Sequence, residues 1–245
     1  VADQWLMPAP VRRVEKRPDA PVEQGWPASL PPVRQLLDEG LDLSRATVLV
    51  GENGTGKSTL VEAVAMAFGM NAEGGSTGAM HTTWHSESPL HDWLRLVRGA
   101  GASRWGYFVR AETMHGLFTY LDSTRRDSHT RDPEFHRLSH GEAFRTLIDT
   151  SRFSGDGFFV LDEPEAGLSF TAQLRLVGEL MTMLTSPGVQ VLLATHSPVI
   201  ASLPGATVLE LDEEGYHERS WDDLELVMHY RNFCDSPTRY LRHLE

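Results

Sequence analysis

Polar and apolar positions divide the chain into short, almost unbroken apolar runs and longer periodic stretches. The apolar runs at 47–50, 106–109, 158–161, 189–195 and 207–211 read as strands, and 158–161 as one buried on both faces of a parallel sheet. Between them, 33–37 is helical in pattern and stops at Gly40, 60–68 is apolar nearly throughout, and 143–148 follows a polar start. Leu174, Val177, Met181 and Leu184 recur at spacings of three and four, predicting a helix that turns this stripe to the core. Strands alternating with helices predict an α/β chain with a mostly parallel sheet that binds ligands at the carboxyl ends of its strands. Residues 1–32 carry seven prolines and read as extended segments and turns. Residues 71–78 read as a mobile glycine-rich connection, 122–137 as a charged surface loop, and 221–230 as an amphipathic helix packing on the domain.

The run at 47–50 leads directly into Gly51-Glu-Asn-Gly-Thr-Gly-Lys-Ser-Thr59, and the helical pattern begins at once after it. Strand, glycine loop and helix in this order make a phosphate cradle: the glycines let successive N–H groups turn inward, and the helix N-terminus adds partial positive charge. Asn53, Gly54, Thr55, Gly56, Lys57, Ser58 and Thr59 are therefore the candidate nucleotide-binding residues. Lys57 is expected on the β- and γ-phosphates and the Ser58 hydroxyl on Mg²⁺. A bland turn has no reason to place Gly, Gly, Lys and Ser in this register.

The run at 158–161 delivers Asp162 and Glu163, with Pro164 fixing the turn. Asp162 is placed to hold Mg²⁺ alongside Ser58, and Glu163 to orient and deprotonate an attacking water. The strand at 189–195 delivers His196. Leu138-Ser139-His-Gly141-Glu142 opens the helical pattern at 143–148, a placement that a simple helix cap would also explain.

The order and rough separation of these motifs resemble ABC-type ATPases, whose signature is Leu-Ser-x-Gly-Glu/Gln, across about residues 46–215. The resemblance implies a three-layer P-loop fold with a small helical subdomain at about 79–150 inserted in a single domain covering 1–245. It implies a head-to-tail homodimer with ATP and Mg²⁺ between subunits. Ser139, Gly141 and Glu142 of one subunit would clamp the γ-phosphate held by the other. His196, after Ala194-Thr195, matches the switch histidine, and Glu165 to Ser169 the D-loop. Transporter-type ATPases carry Gln in the Mg²⁺ and water sphere, and Glu112 stands at the equivalent position here. Trp26 and the Arg12-Arg13 pair are the candidates for the adenine-stacking side chain. Trp26 to Val33, Val50 to Ala63, Phe108 to Glu112, Ser139 to Glu142 and Asp235 to Leu244 look like small stand-alone bacterial ATPases of AAA type. Glu163-Pro-Glu165-Ala-Gly-Leu168 looks more like RecF- and OLD-type ATPases than like transporters. About 80 residues separate Lys57 from Ser139, too few for an SMC coiled-coil arm. The alternative is the ATP-binding subunit of an ABC transporter.

At 245 residues and 40% hydrophobic content the chain can bury a full core. It has no apolar run of membrane-spanning length, so no membrane insertion is expected. The start lacks a basic segment followed by an apolar one, so no export signal is expected, and a first residue other than Met leaves room for residues before it. The single cysteine, Cys234, fits a reducing cytoplasm. A net charge of −12 argues against a globally basic nucleic-acid coat but leaves room for local patches. Arg12, Arg13, Lys16 and Arg17 form one, and eight arginines between Arg95 and Arg137 another. The partner beyond ATP is thus nucleic acid or an unidentified protein. His81, His85 and His91 lack a cysteine partner for a metal site.

Overall fold

The computed structural model describes residues 9–21, 25–78, 88–124, 135–138 and 140–242. Along the chain run β1 (Arg13–Lys16), α1 (Pro31–Glu39), β2 (Leu41–Asp42), β3 (Ala46–Gly51), α2 (Lys57–Phe68), β4 (Gly75–Ser76), α3 (Leu90–Trp93), β5 (Leu94–Val97) and β6 (Gly106–Arg110). Then come α4 (Met114–Thr124), α5 (His140–Ile148), β7 (Gly157–Asp162), α6 (Phe170–Met183), β8 (Val189–Thr195), α7 (Pro198–Ala201), β9 (Thr207–Leu211), β10 (Tyr216–Glu218), α8 (Glu225–Asp235) and α9 (Pro237–Leu241).

All five apolar runs are strands of one seven-stranded sheet, ordered β10-β9-β3-β8-β7-β6-β4. Its five central strands are mutually parallel, and β10 and β4 close the edges antiparallel. The runs are continuous because both faces are covered. Val48, Phe159, Leu161, Val191 and Leu193 pack into the cluster shared with α4 to α8. Leu49, Phe158, Val160 and Leu192 pack into the cluster on the other face, with α1, α2, α3 and a small antiparallel sheet of β2, β1 and β5. Buried Gln190 of β8 ties the small sheet's approach to the large one. Its amide accepts from Val11 N–H at 2.8 Å and donates to the Val11 and Ser44 carbonyls at 2.6 and 2.9 Å.

Two sequence expectations need correction. Helix α6 buries Leu176, Val177 and Leu180, with Met183 and Leu184 packed on the same cluster, while Leu174 and Met181 stand 49% and 46% exposed. The apolar positions of this helix fit two overlapping stripes that share Val177 and Leu184, and the buried one is rotated from the one expected. The connection at 71–78 contains an edge strand, with Gly75 and Ser76 opposite Phe108 and Tyr107. Glycine hides it: a Cβ on Gly74 would stand 3.1 Å from the Phe108 carbonyl oxygen, so the close approach demands the residue type that reads as loop.

Several of the described basic residues carry ion pairs. Arg13 pairs with Glu15 and Asp42, Arg95 with Glu15, and Arg17 with Asp19. Arg98 lies over the Phe68 ring at 4.2 Å. Among the described residues no helix is long and apolar enough to cross a membrane.

Candidate functional site

The carboxyl ends of β3, β7 and β8 are adjacent in the sheet, so the residues that follow them converge. After β3 the chain turns through residues 52–56 into α2, whose N-terminal residue is Lys57. Gly56 caps the helix at φ 97°, a left-handed conformation that favours glycine, and a Cβ there would stand 3.2 Å from Leu30 Cδ1. The loop and α2 open into a hollow of about 210 Å³ lined by Trp26, Leu30, Asn53, Gly54, Gly56, Lys57, Ser58, Thr59 and Glu163. Lys57 is 3% exposed and its Nζ donates to the Glu52 carbonyl at 2.8 Å, a bond within the loop itself. Burial lowers the Lys57 pKa, opposed by the carboxylates of Glu163 and Asp162. Thr55 Oγ1 also donates to the Glu52 carbonyl, at 2.9 Å.

Asp162 ends β7, 3% exposed, and its Oδ1 accepts from the Ser58 hydroxyl at 3.1 Å. Burial pushes its carboxyl up to about 6, against the Arg110 guanidinium and the Ser58 hydroxyl, which pull it down. Hydroxyl and carboxylate oxygens side by side suit Mg²⁺, a hard cation that keeps several waters and shares phosphate oxygens. Among the described residues no group of three or more His, Cys, Asp or Glu could hold a metal by itself, and sharing of this kind requires none.

Glu163 has φ 51°, unlike any other described non-glycine residue. A left-handed glutamate costs on the order of 1 kcal/mol and persists where surroundings enforce it. Here its N–H donates to the Ala194 carbonyl at the end of β8, at 3.0 Å, and its own carbonyl accepts from Ala166 N–H at 3.1 Å. The turn brings Glu163 Oε1 within 3.3 Å of His196 Nε2, although the two are not aligned as a hydrogen bond. Glu165 Oε1 accepts the His196 backbone N–H at 2.5 Å, while its Oε2 is buried without a hydrogen-bond partner. Ser197 caps α7 and donates to Gln173 Oε1 at 2.6 Å, and Gln173 Nε2 donates to the Leu168 carbonyl at 3.1 Å. The loop from Glu163 to Ser169 is thereby anchored to the end of β8.

Gly141 and Glu142 stand elsewhere. They line a second hollow, of about 340 Å³, between α5 and α6, with Phe144, Arg145, Gly167, Leu168, Ser169, Ala172, Arg175, Leu176 and Glu179. No lining residue is common to the two hollows. Ser139 lies outside the described residues. Glu112, on a 3-10 turn after β6, is 78% exposed and pairs with Arg110 at 3.0 Å; it does not line the first hollow. Of the adenine candidates, Trp26 lines that hollow and is 56% exposed, whereas Arg13 is held in the small sheet by Glu15 and Asp42.

Sequence reading missed Arg110 and Glu62. Arg110 ends β6 directly opposite Asp162 in the parallel register, and its guanidinium reaches Glu62, Glu112 and Asp162. A usable signal existed: Arg110 closes an apolar run next to the strand that delivers the acid pair. It was lost among many arginines.

Residues 79–202 match the protein family described as "AAA domain, putative AbiEii toxin, Type IV TA system". The zinc import ATP-binding protein ZnuC of Vibrio cholerae is 27% identical over 170 residues, covering 66% of this chain and 62% of ZnuC. The lipoprotein-releasing system ATP-binding protein LolD of Gluconobacter oxydans is 27% identical over 184 residues, covering 65% of this chain and 77% of LolD. Among solved structures, the SMC head domain from Thermotoga maritima superposes with a TM-score of 0.41 at 15% identity, over 74% of this chain and 93% of that one.

Proposed function

The chain belongs to that AAA-domain family, within the ABC-type P-loop ATPases, and from this premise we propose that it binds ATP in the first hollow and hydrolyses it between two copies of itself. The observation that carries the reading is one cluster at the strand ends: Lys57, Ser58 against Asp162 at 3.1 Å, and Glu163 beside His196 at 3.3 Å. Phosphate oxygens would accept from the loop N–H groups and the first turn of α2. The Lys57 ammonium would exchange the Glu52 carbonyl for the β- and γ-phosphates. Ser58 and Asp162 would hold Mg²⁺, which supplies neutralisation of charge on the β- and γ-oxygens. Glu163 would take a proton from water as its oxygen bonds to the γ-phosphorus and the bond to the β–γ bridging oxygen breaks. His196 Nε2, buried and unbonded, would donate to the γ-phosphate beside it. Trp26 offers its exposed ring to adenine.

Gly141 and Glu142 line a separate hollow, and on the ABC-type reading they and Ser139 would reach the γ-phosphate held by a second copy. The test is Glu163→Gln. It should bind ATP, hydrolyse it roughly 100-fold more slowly, and accumulate as an ATP-dependent dimer in light scattering after size exclusion. A folded Glu163→Gln protein with wild-type turnover would remove the general-base assignment.

The finer reading is a stand-alone cytoplasmic ATPase serving nucleic-acid processing or defence, supported by the toxin system named in the family description. Stimulation of ATPase activity by DNA or RNA tests it. A second reading, the ATP-binding subunit of a transporter, draws on the likeness to ZnuC and LolD. The chain spans only 62% of ZnuC, and co-purification with a permease would favour this reading instead.

A further inference from the structure

A carboxylate torsion is broad and roughly two-fold, so a buried aspartate that must present one chosen oxygen needs its other oxygen held. Asp162 Oδ1 accepts from Ser58, and its Oδ2 lies 3.4 Å from Arg110 Nε. Arg110 is itself fixed by its other two nitrogens, Nη1 to Glu62 Oε2 at 2.5 Å and Nη2 to Glu112 Oε2 at 3.0 Å. Glu62 follows Ser58 by four residues on α2, so both side chains leave the same face of the helix. Glu62 is itself buried, and its Oε1 accepts from Ser88 N–H at 3.3 Å. Two links therefore join α2 to the strand ends, one from Ser58 to Asp162 and one from Glu62 to Arg110. The planar guanidinium fork suits this task in a way that a point-like ammonium does not.

We propose that Arg110 is a positioning residue for the Mg²⁺ side of the ATP site: braced by Glu62, it holds Asp162 Oδ2 so that Oδ1 faces the Ser58 hydroxyl. Glu112 then acts through Arg110 and does not ligate the metal. The proposal rests on the reading that Ser58 and Asp162 hold Mg²⁺. At alkaline pH, where Asp162 is ionised with or without Arg110, a plain counter-charge role makes the opposite prediction, since removing a cation beside a metal site tightens metal binding.

The experiment measures, at alkaline pH, binding of an ATP analogue with a non-hydrolysable β–γ bridge to the full chain, in EDTA and across a MgCl₂ series. Wild type should bind more tightly with Mg²⁺. Arg110→Gln should raise the half-saturating Mg²⁺ concentration about 10-fold, at the lower end of what the loss of a metal ligand's supporting partner does. Its EDTA affinity should be unchanged. Arg110→Lys should recover part of the shift, and Glu62→Gln should move it in the same direction as Arg110→Gln. An unchanged or lower half-saturating Mg²⁺ in Arg110→Gln overturns the proposal. So does a parallel loss of EDTA affinity and thermal stability, which marks a purely structural role. If Arg110→Gln fails to fold, Glu62→Gln decides on the same criteria. Wild type without any Mg²⁺ response removes the metal reading and this proposal together; a responding wild type matched by both variants removes this proposal alone.

Discussion

The hollow at the phosphate loop and the hollow between α5 and α6 are built from different materials. The first is made where strands end, so its polar groups are fixed by backbone: loop N–H groups, a left-handed Glu163 and the α2 N-terminus. The second is made from the sides of helices, with Phe144, Leu168 and Leu176 among the charged ends of Glu142, Arg145, Arg175 and Glu179. Fixed N–H dipoles and a buried Lys57 suit a polyanion, whereas the second hollow sets acidic and basic side-chain ends around an apolar wall. The difference teaches that one chain carries the phosphate machinery in one place and the motif resembling a signature in another.

The largest expected effect breaks the first hollow alone. Lys57→Ala should nearly abolish ATP binding, measured by calorimetry, with the circular dichroism spectrum unchanged; undiminished affinity would remove the phosphate-loop assignment. Ser139→Arg should instead keep ATP binding to monomers while losing ATP-dependent dimerisation and most turnover. Mixing the two variants leaves one site with an intact loop and an intact signature. Dimerisation and full turnover by Ser139→Arg alone would dissolve the contrast between the hollows.

The two regions also differed in how far the sequence revealed them. Phe158 to Leu161 could be read as a doubly buried strand because both of its faces are apolar, and the acids at its end followed from that. The register Gly51 to Ser58 is local, so the loop was legible residue by residue. Arg110 was not, because its meaning comes from lying opposite Asp162 on a strand about fifty residues away. Trp26 could be no more than a candidate, since folding alone carries it to the rim of the hollow. The left-handed turn at Glu163 left no sign, since glutamate rarely adopts it.

Helix α6, which floors the second hollow, gives the next effect in size. Leu176 is buried and Leu174 is not, although the spacing of apolar residues alone chose Leu174. Leu176→Ala should lower unfolding free energy by about 2–5 kcal/mol, and Leu174→Ala by no more than about 0.5 kcal/mol, both from urea titrations with unchanged slopes. Equal losses would restore the stripe expected from spacing.

The smallest effect is a pH dependence confined to the first hollow. Burial pushes the Asp162 carboxyl up to about 6, well above the usual carboxylate range, outweighing the help of Arg110 and Ser58, while Glu163 and Glu62 push in the same direction as burial. A carboxyl raised in the folded state holds its proton there after the unfolded chain has lost it. Its contribution to stability is thus complete below the unfolded pKa and disappears as pH rises through about 4 to 6. Metal binding would run the other way, since on the proposed reading the ionised carboxylate is the ligand. The Mg²⁺-dependent part of nucleotide affinity should hold steady above about pH 7 and weaken toward about tenfold per pH unit below about 6. Affinity in EDTA over the same range is the control, because it bypasses Asp162 as a ligand. A Mg²⁺ enhancement that stays level from about pH 7.5 down to about 5 would mean that the carboxylate at the end of β7 is not the metal's partner.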